Sequence, residues 1–188
     1  MIQFNGAMAA NPDSHVRERS RLQALSWILG RRLRNRLREQ MAVTYSVSAP
    51  VQVYRTPDVR YVINIGLVTS PDDMARSITA TWEEIDSLRQ AGPTADELDM
   101  VATVLRRGAE NARQNNEWWV AQMQLLETLG IPLAQLGVTR PALTAKDITD
   151  AAAQYLPKDV YTQSTVLPTL ENIAKKKAST AAPGSAER

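Results

Sequence analysis

Hydrophobic residues recur along the chain with two different spacings, and each spacing predicts one type of secondary structure. In residues 14–39 they lie three and four positions apart, which is the spacing of a single buried helical stripe. In residues 43–54, and again in 59–67, they alternate with mostly polar residues, which is typical of half-buried strands. The helical stripe consists of Leu22, Leu25, Ile28, Leu29, Leu33 and Leu37. The alternating set of the first strand is Val43, Tyr45, Val47, Ala49, Val51 and Val53.

Further elements follow from short strand patterns and from capping residues. Residues 1–8 and 160–167 are predicted to be short strands, with Ile2 and Phe4 on one face of the first. Further helices are predicted in 70–92, 94–116, 117–129 and 144–157. Their start and stop signals are Ser70 with Pro71, Gly92, the capping box of Thr94 and Glu97, and Thr144.

This order of elements predicts an α+β domain that has a mostly antiparallel sheet with helices packed on one face. Four strands make a thin sheet for so many helices, so we expect one or two further strands before Met1. The domain is expected to span residues 1–168. Residues 169–188 are rich in Lys, Ala and Ser, and we expect a disordered tail there.

Composition narrows the classes of site that the chain can build. The 188 residues fit one domain, and no apolar run approaches the ~18 residues of a membrane span. The chain has no cysteine, which excludes disulfides, thiolate zinc sites and a cysteine nucleophile. Its single histidine, His15, leaves no zinc site with two or more His ligands within this chain. No signal peptide is predicted, and the compartment stays open.

Three motifs have residue types typical of functional sites, but each favours a structural role. His15 and Glu18 share a helix face, but a metal would need further ligands, and neither HExxH nor HxxEH occurs. The five arginines in 31–38 are typical of phosphate binding, yet aromatic residues for base stacking are not interleaved with them. A solvated or protein-facing flank is therefore favoured, and nucleic acid is not an expected partner. Trp118 and Trp119 point in different directions on a helix, so one could lie in the core while the other faces solvent or a partner. The alternative, favoured for at least one of them, is that both are core or partly buried residues near a helix junction.

The junction between the first helix and the first alternating strand carries the strongest candidate site. Arg38 supplies a permanent cation with planar donors, and Tyr45 supplies a phenolic hydroxyl at the start of the strand. Held together, these groups would donate to a peptide carbonyl or to a developing oxyanion. The alternative is that Arg38 lies on the surface without a role and that Tyr45 is packed in the core. The residues alone favour this alternative.

Three stretches resemble the pitrilysin/insulinase family of zinc metallopeptidases, in particular the last, non-metal-binding domain of bacterial members. They are residues 28–47 (ILGRRLRNRLREQMAVTYSV), 90–98 (QAGPTADEL) and 114–118 (QNNEW). The resemblance covers about residues 14–167 in the expected order. It implies repeated α+β domains in two halves around a chamber, with an HxxEH zinc motif in the first domain and an Arg and a Tyr, seven residues apart, contacting the substrate backbone from the last.

Arg38 and Tyr45 have that spacing, so the resemblance implies a substrate-binding and transition-state role for them. Because HxxEH is absent, it also implies that zinc and the catalytic base belong to a partner catalytic half, that this chain binds no cofactor, and that it is inactive alone. Bacterial relatives are often periplasmic. The first hypothesis is a peptide-binding domain of a zinc protease. The alternative is a non-catalytic structural subunit of the same family that pairs with another chain.

Overall fold

Five strands and five α-helices make up the part of the chain that the computed structural model describes. The described residues are 1–8, 12–54, 58–128, 130, 132–135 and 142–167. The strands are β1 (Ile2–Ala7), β2 (Thr44–Ser48), β3 (Val51–Tyr54), β4 (Arg60–Thr69) and β5 (Thr162–Gln163). The helices are α1 (Pro12–Leu33), α2 (Met74–Gln90), α3 (Ala95–Ala112), α4 (Asn116–Thr128) and α5 (Ala145–Tyr155), with a π-helical segment at Arg34–Gln40 and a 3₁₀ turn at Leu133–Gln135. The expected disordered tail, 169–188, lies outside the described residues.

The strands form one antiparallel sheet organised around β4, its longest strand. β1 pairs with β4 on one side and with β5 on the other, while β2 and β3 both pair with β4. Ile2 and Phe4 are buried on the same face of β1, as the alternation predicts. The antiparallel α+β architecture is therefore confirmed. The last strand is shorter than predicted, because Val160 and Val166 are exposed and pairing with β1 extends over Thr162 and Gln163.

The leucine stripe of the first helix forms the centre of the core. All six residues of the predicted stripe are fully buried, together with Ile63 and Ile65 from β4. The helical pattern predicted over 14–39 is confirmed, and its last part differs in type: α1 ends at Leu33 and the chain continues as a π-helix to Gln40. Leu33 and Leu37 are both fully buried, so the stripe continues across the change of helix type.

Capping residues place the other helices largely where the sequence predicts them. Thr94 with Glu97, and Thr144 with Asp147, form complete capping boxes at the starts of α3 and α5. α2 begins at Met74 rather than Pro71, because the hydroxyl of Ser70 accepts a hydrogen bond from the backbone of Asp73 and a turn fills residues 71–73. Among the described residues, no helix is both long and apolar enough to cross a membrane.

A polar network joins α5 to α1 along one side of the core. A guanidinium nitrogen of Arg17 lies 2.7 Å from the carboxylate of Asp147, and the Nε of Arg21 donates to the Asp147 carbonyl at 3.0 Å. The hydroxyl of Tyr155 donates to Glu18 at 2.5 Å. Hydrogen bonds from Arg17 and from the capping-box backbone lower the pKa of Asp147 from 3.8 to about 2.

This lowered pKa predicts an acid-sensitive contact. Because the folded protein holds Asp147 ionised below its ordinary pKa, the carboxylate stabilises the fold above about pH 4 and stops doing so as the pH falls towards 2. We expect Asp147→Asn to lower the urea midpoint at pH 6 and to flatten its decline between pH 4 and 2. Asp150→Asn, on the exposed side of the same helix, is the control. An unchanged pH profile in Asp147→Asn would contradict the assignment.

Candidate functional site

Arg38 projects from the π-helical segment that joins α1 to β2. The backbone N–H of Met41 donates to the carbonyl of Arg36 at 3.0 Å, five residues back, which is the bonding pattern of a π-helix. Leu37 lies on the buried side of this segment and Arg38 on the exposed side, with 58% of its side chain exposed. The Nε of Arg38 lies 3.8 Å from the carboxylate of Glu39, a long contact between two exposed groups that contributes little.

The chain reverses sharply between the π-helical segment and β2. Ala42 has φ of +52°, in the left-handed region that residues other than glycine rarely adopt. The N–H of Val43 then donates to the carbonyl of Leu37 at 2.9 Å, which closes the reversal. Non-glycine residues in this region cost free energy and persist where the surrounding structure requires them, often at functional sites.

A β-bulge at Tyr45 follows immediately and overturns one prediction. Thr44 is opposite Thr69 and Ser46 is opposite Val68, so Tyr45 is an extra residue with no partner on β4. Strict alternation predicts Tyr45 on the inner face with Val43 and Val47, which are indeed buried. The side chain of Tyr45 is instead 82% exposed, because the bulge turns it away from that face. The alternative in which Tyr45 packs in the core is therefore wrong.

Arg38 and Tyr45 thus lie at the two ends of one irregular segment, and both side chains reach solvent. The six residues between them contain the end of the π-helical segment and a left-handed alanine, and the bulge is at Tyr45 itself. No hydrogen bond joins the two side chains to each other. The arrangement leaves a guanidinium and a phenol free to donate to an extended ligand lying along this edge of the sheet.

A groove beside the π-helical segment was not foreseen from the sequence. It has a volume of about 330 Å³ and lies between this segment and α2. Its lining includes Arg36, Met41, Arg76, Thr79 and Glu83. Arg36 reaches across to Glu83 at 3.0 Å, and in the described structure its buried Nε has no hydrogen-bond partner. Because its walls come from elements about forty residues apart, no local pattern could have indicated it.

The other arginines of 31–38 mostly make contacts within the molecule. Arg32 binds both carboxylate oxygens of Glu97 at 2.7 and 2.6 Å and also donates to the carbonyl of Gly92. Its hydrogen bonds to Glu97 raise the pKa of Arg32 despite partial burial. Arg31 lies over the ring of Trp27 at 5.6 Å and contacts the sulfur of Met100. The side chains of these arginines therefore pack α1 against α2 and α3.

The paired tryptophans mark a helix junction. Asn115 accepts a hydrogen bond from the N–H of Glu117 at the start of α4, as the junction prediction requires. Trp118 and Trp119 are both half-buried and meet edge to face at 4.8 Å, so neither is a core residue. The indole N–H of Trp119 donates to the carbonyl of Arg113 at 2.8 Å. The interpretation of two partly buried aromatic residues at a helix junction is therefore confirmed.

Metal ligands do not come together in the described part of the chain. There, no group of three or more His, Cys, Asp or Glu side chains could hold a metal ion. His15 falls on the α1 backbone, and its side chain is outside the described part. The site formed by Arg38 and Tyr45 thus offers hydrogen-bond donors and positive charge.

The fold matches solved structures at low sequence identity. A putative zinc protease from Bordetella pertussis Tohama I has a TM-score of 0.67 at 15% identity, covering 89% of this chain and 92% of that chain. A peptidase M16 inactive domain from Pseudomonas fluorescens has a TM-score of 0.61 at 21% identity, covering 85% and 39%. The periplasmic protease PqqL from Escherichia coli has a TM-score of 0.63 at 18% identity, covering 82% and 17%. This chain therefore spans less than half the length of the last two.

Sequence comparison with protein families gives the assignment. No curated protein matches the chain significantly. The family model described as "Peptidase M16 inactive domain" matches residues 5–105, which is more than half of the chain. The matched range runs from β1 into α3 and includes both Arg38 and Tyr45. In agreement with the resemblance drawn from its motifs, the chain belongs to the peptidase M16 inactive domain family.

Proposed function

We propose that this chain is a substrate-binding, non-catalytic domain of a zinc metalloprotease that hydrolyses peptides. A catalytic half with an HxxEH motif, in the same or another chain, would supply the zinc and the general base. The donor set here does not fit zinc, because the sequence has one histidine and no cysteine, and the described carboxylates do not cluster. The role of this chain is therefore to hold the peptide.

The observation that carries the proposal is the exposure of Arg38 and Tyr45 on one irregular segment. Periodicity would bury Tyr45, and the fold instead uses a bulge to expose a large aromatic side chain. Exposing a side chain in this way gives no packing energy to the domain, so it favours a role in binding. Bulges commonly redirect side chains beside active sites.

The hydrogen-bond donors of Arg38 and Tyr45 suit a peptide carbonyl whose charge changes during hydrolysis. A peptide carbonyl accepts hydrogen bonds in the ground state, and its oxygen gains negative charge in the tetrahedral intermediate. The guanidinium of Arg38 stays protonated and attracts that charge, and the hydroxyl of Tyr45 donates to the same region of the substrate. Donors placed in advance of the reaction stabilise the intermediate more than the substrate, which accelerates hydrolysis.

Removing Arg38 should weaken cleavage without weakening the fold. We expect Arg38→Ala, combined with an HxxEH-containing catalytic half, to lower kcat/KM about 10- to 100-fold, the range of a lost charged hydrogen bond. The side chain is exposed and only loosely paired with Glu39, so the urea midpoint should stay close to wild type. Peptide cleavage and urea denaturation are measured on the same preparations.

Arg34→Ala is the matched control, because Arg34 is exposed on the same π-helical segment and carries the same charge. It should retain wild-type turnover. Equal loss in both variants would indicate a general electrostatic effect, and equal turnover in wild type and Arg38→Ala would exclude the proposed role.

A second candidate function is a non-catalytic structural subunit. It fits the sequence equally, because HxxEH is absent and the family model that matches is described as an inactive domain. This function predicts a stable complex with another chain, measured by light scattering, in which adding this chain leaves peptide cleavage unchanged. A rise in cleavage that depends on Arg38 would exclude it.

A further inference from the structure

We infer that Thr44 and Thr69 are positioning residues that hold the bulge and so fix the outward direction of Tyr45. The inference rests on the proposed function of Tyr45. It concerns two hydroxyl groups beside the candidate site, on the buried Thr44 and the half-buried Thr69. Thr44 is 7% exposed and lies directly before the bulged residue.

The first hydroxyl bonds the carbonyls that the bulge disturbs. The Oγ1 of Thr44 lies 2.6 Å from the carbonyl oxygen of Val68, across the ladder, and 2.8 Å from that of Ser46, directly after the bulge. An extra residue displaces the regular pairing of backbone groups at such a position. The single O–H of Thr44 is therefore placed to donate to either of these carbonyls, one on each strand.

The second hydroxyl holds the other side of the bulge. The Oγ1 of Thr69 donates at 2.5 Å to the carbonyl of Val43, directly before Thr44, and it accepts from the hydroxyl of Ser77 on α2 at 3.3 Å. Ser77 is fully buried, so water does not readily replace this contact. The bulge is thus held on both strands and connected to the core.

Loss of either hydroxyl would leave a carbonyl beside the bulge without its donor, and for Thr69 that carbonyl belongs to the buried Val43. A regular ladder would relieve this, and it would also return Tyr45 to the inner face with Val43 and Val47. Thr44 and Thr69 therefore act on the substrate through the direction of Tyr45. A purely structural residue would affect stability without this dependence on Tyr45.

The test compares Thr44→Val, which removes the hydroxyl at nearly constant shape, with Thr44→Ser, which keeps it. In the chain alone, the rate at which Tyr45 is nitrated measures how exposed its side chain is. With the catalytic half, we expect Thr44→Val to lower kcat about fivefold and Thr44→Ser to retain it, while KM changes little. In a Tyr45→Phe background, Thr44→Val should cause no further loss.

Thr69→Val and Thr69→Ser repeat the test if Thr44→Val does not fold. Thr81→Val is the buried control, because its hydroxyl donates to the carbonyl of Ser77 within α2. Unchanged nitration of Tyr45 in the valine variants, or an equal kcat loss in the Tyr45→Phe background, would overturn the inference. If nitration changes and serine restores it, the inference holds. If nitration changes in this way but kcat is the same in wild type, Thr44→Val and Tyr45→Phe, the proposed function is wrong while the positioning of Tyr45 is confirmed.

Discussion

Replacing Tyr45 with phenylalanine should lower the kcat of the reconstituted protease by about 10²- to 10³-fold, the range seen when one oxyanion donor is removed. The substitution removes a single hydroxyl and keeps the ring. Because the side chain is 82% exposed, the free energy of unfolding should change by less than about 0.5 kcal/mol. Turnover is measured with a peptide substrate, and stability is measured by urea denaturation of the chain alone.

The division between kcat and KM indicates when Tyr45 acts. A loss confined to kcat means that the hydroxyl bonds the transition state more strongly than the bound peptide. A rise in KM alone would assign Tyr45 to ground-state binding. Tyr54→Phe is the matched control, since Tyr54 is a half-exposed tyrosine on β3 whose hydroxyl donates to Gln52 at 2.6 Å. Wild-type turnover in Tyr45→Phe would contradict the role altogether.

Much of the fold could be predicted because it depends on local patterns. Residues three and four apart in α1 become one buried stripe, and alternating residues of β1 and β4 become one buried face. Capping boxes are equally local, since Thr94 and Glu97 satisfy backbone groups within a single helical turn. In each case the physical cause lies within a few residues and can be found in the sequence itself.

The sequence could indicate which residues form the candidate site, but it could not indicate how their side chains are oriented. Arg38 and Tyr45 were identified from their chemistry, their spacing and a family resemblance. Their exposure depends on a π-helical segment and a bulge. Each inserts one extra residue into a regular helix or strand, and the spacing of hydrophobic residues does not show where this happens. The pattern of apolar residues cannot show a register shift against β4, because that shift depends on Thr69 and Val68, more than twenty residues away.

The groove and the sheet order show the same limit on a larger scale. Arg36 and Glu83 meet because the π-helical segment packs against α2, and neither residue carries a signal for the other. The pairing of β1 with both β4 and β5 joins the two ends of the described chain. Such contacts are set by the packing of whole elements, so they become visible once the elements are assembled.

Replacing Phe4 with alanine should destabilise the domain by about 3–5 kcal/mol, as expected for a large cavity in a packed core. Phe4 is fully buried on β1 and meets Trp82 of α2 edge to face at 5.9 Å and Tyr161 at 6.0 Å. Its loss therefore opens a space where the sheet, α2 and the segment before β5 come together. Thermal unfolding followed by circular dichroism should show a midpoint lower by roughly 10 °C.

Two control variants test whether the loss of stability comes from the cavity. Comparison with Tyr45→Phe then distinguishes effects on folding from effects on peptide cleavage. Phe4→Leu keeps much of the apolar volume and should cost less than Phe4→Ala, while Val166→Ala, at a 95% exposed position, should leave the midpoint unchanged. Below its midpoint, Phe4→Ala should still support peptide cleavage, because it leaves the segment from Arg38 to Tyr45 intact. An unchanged midpoint would contradict the packing of Phe4, and lost cleavage in the folded variant would mean that the site depends on the whole sheet rather than on the bulge.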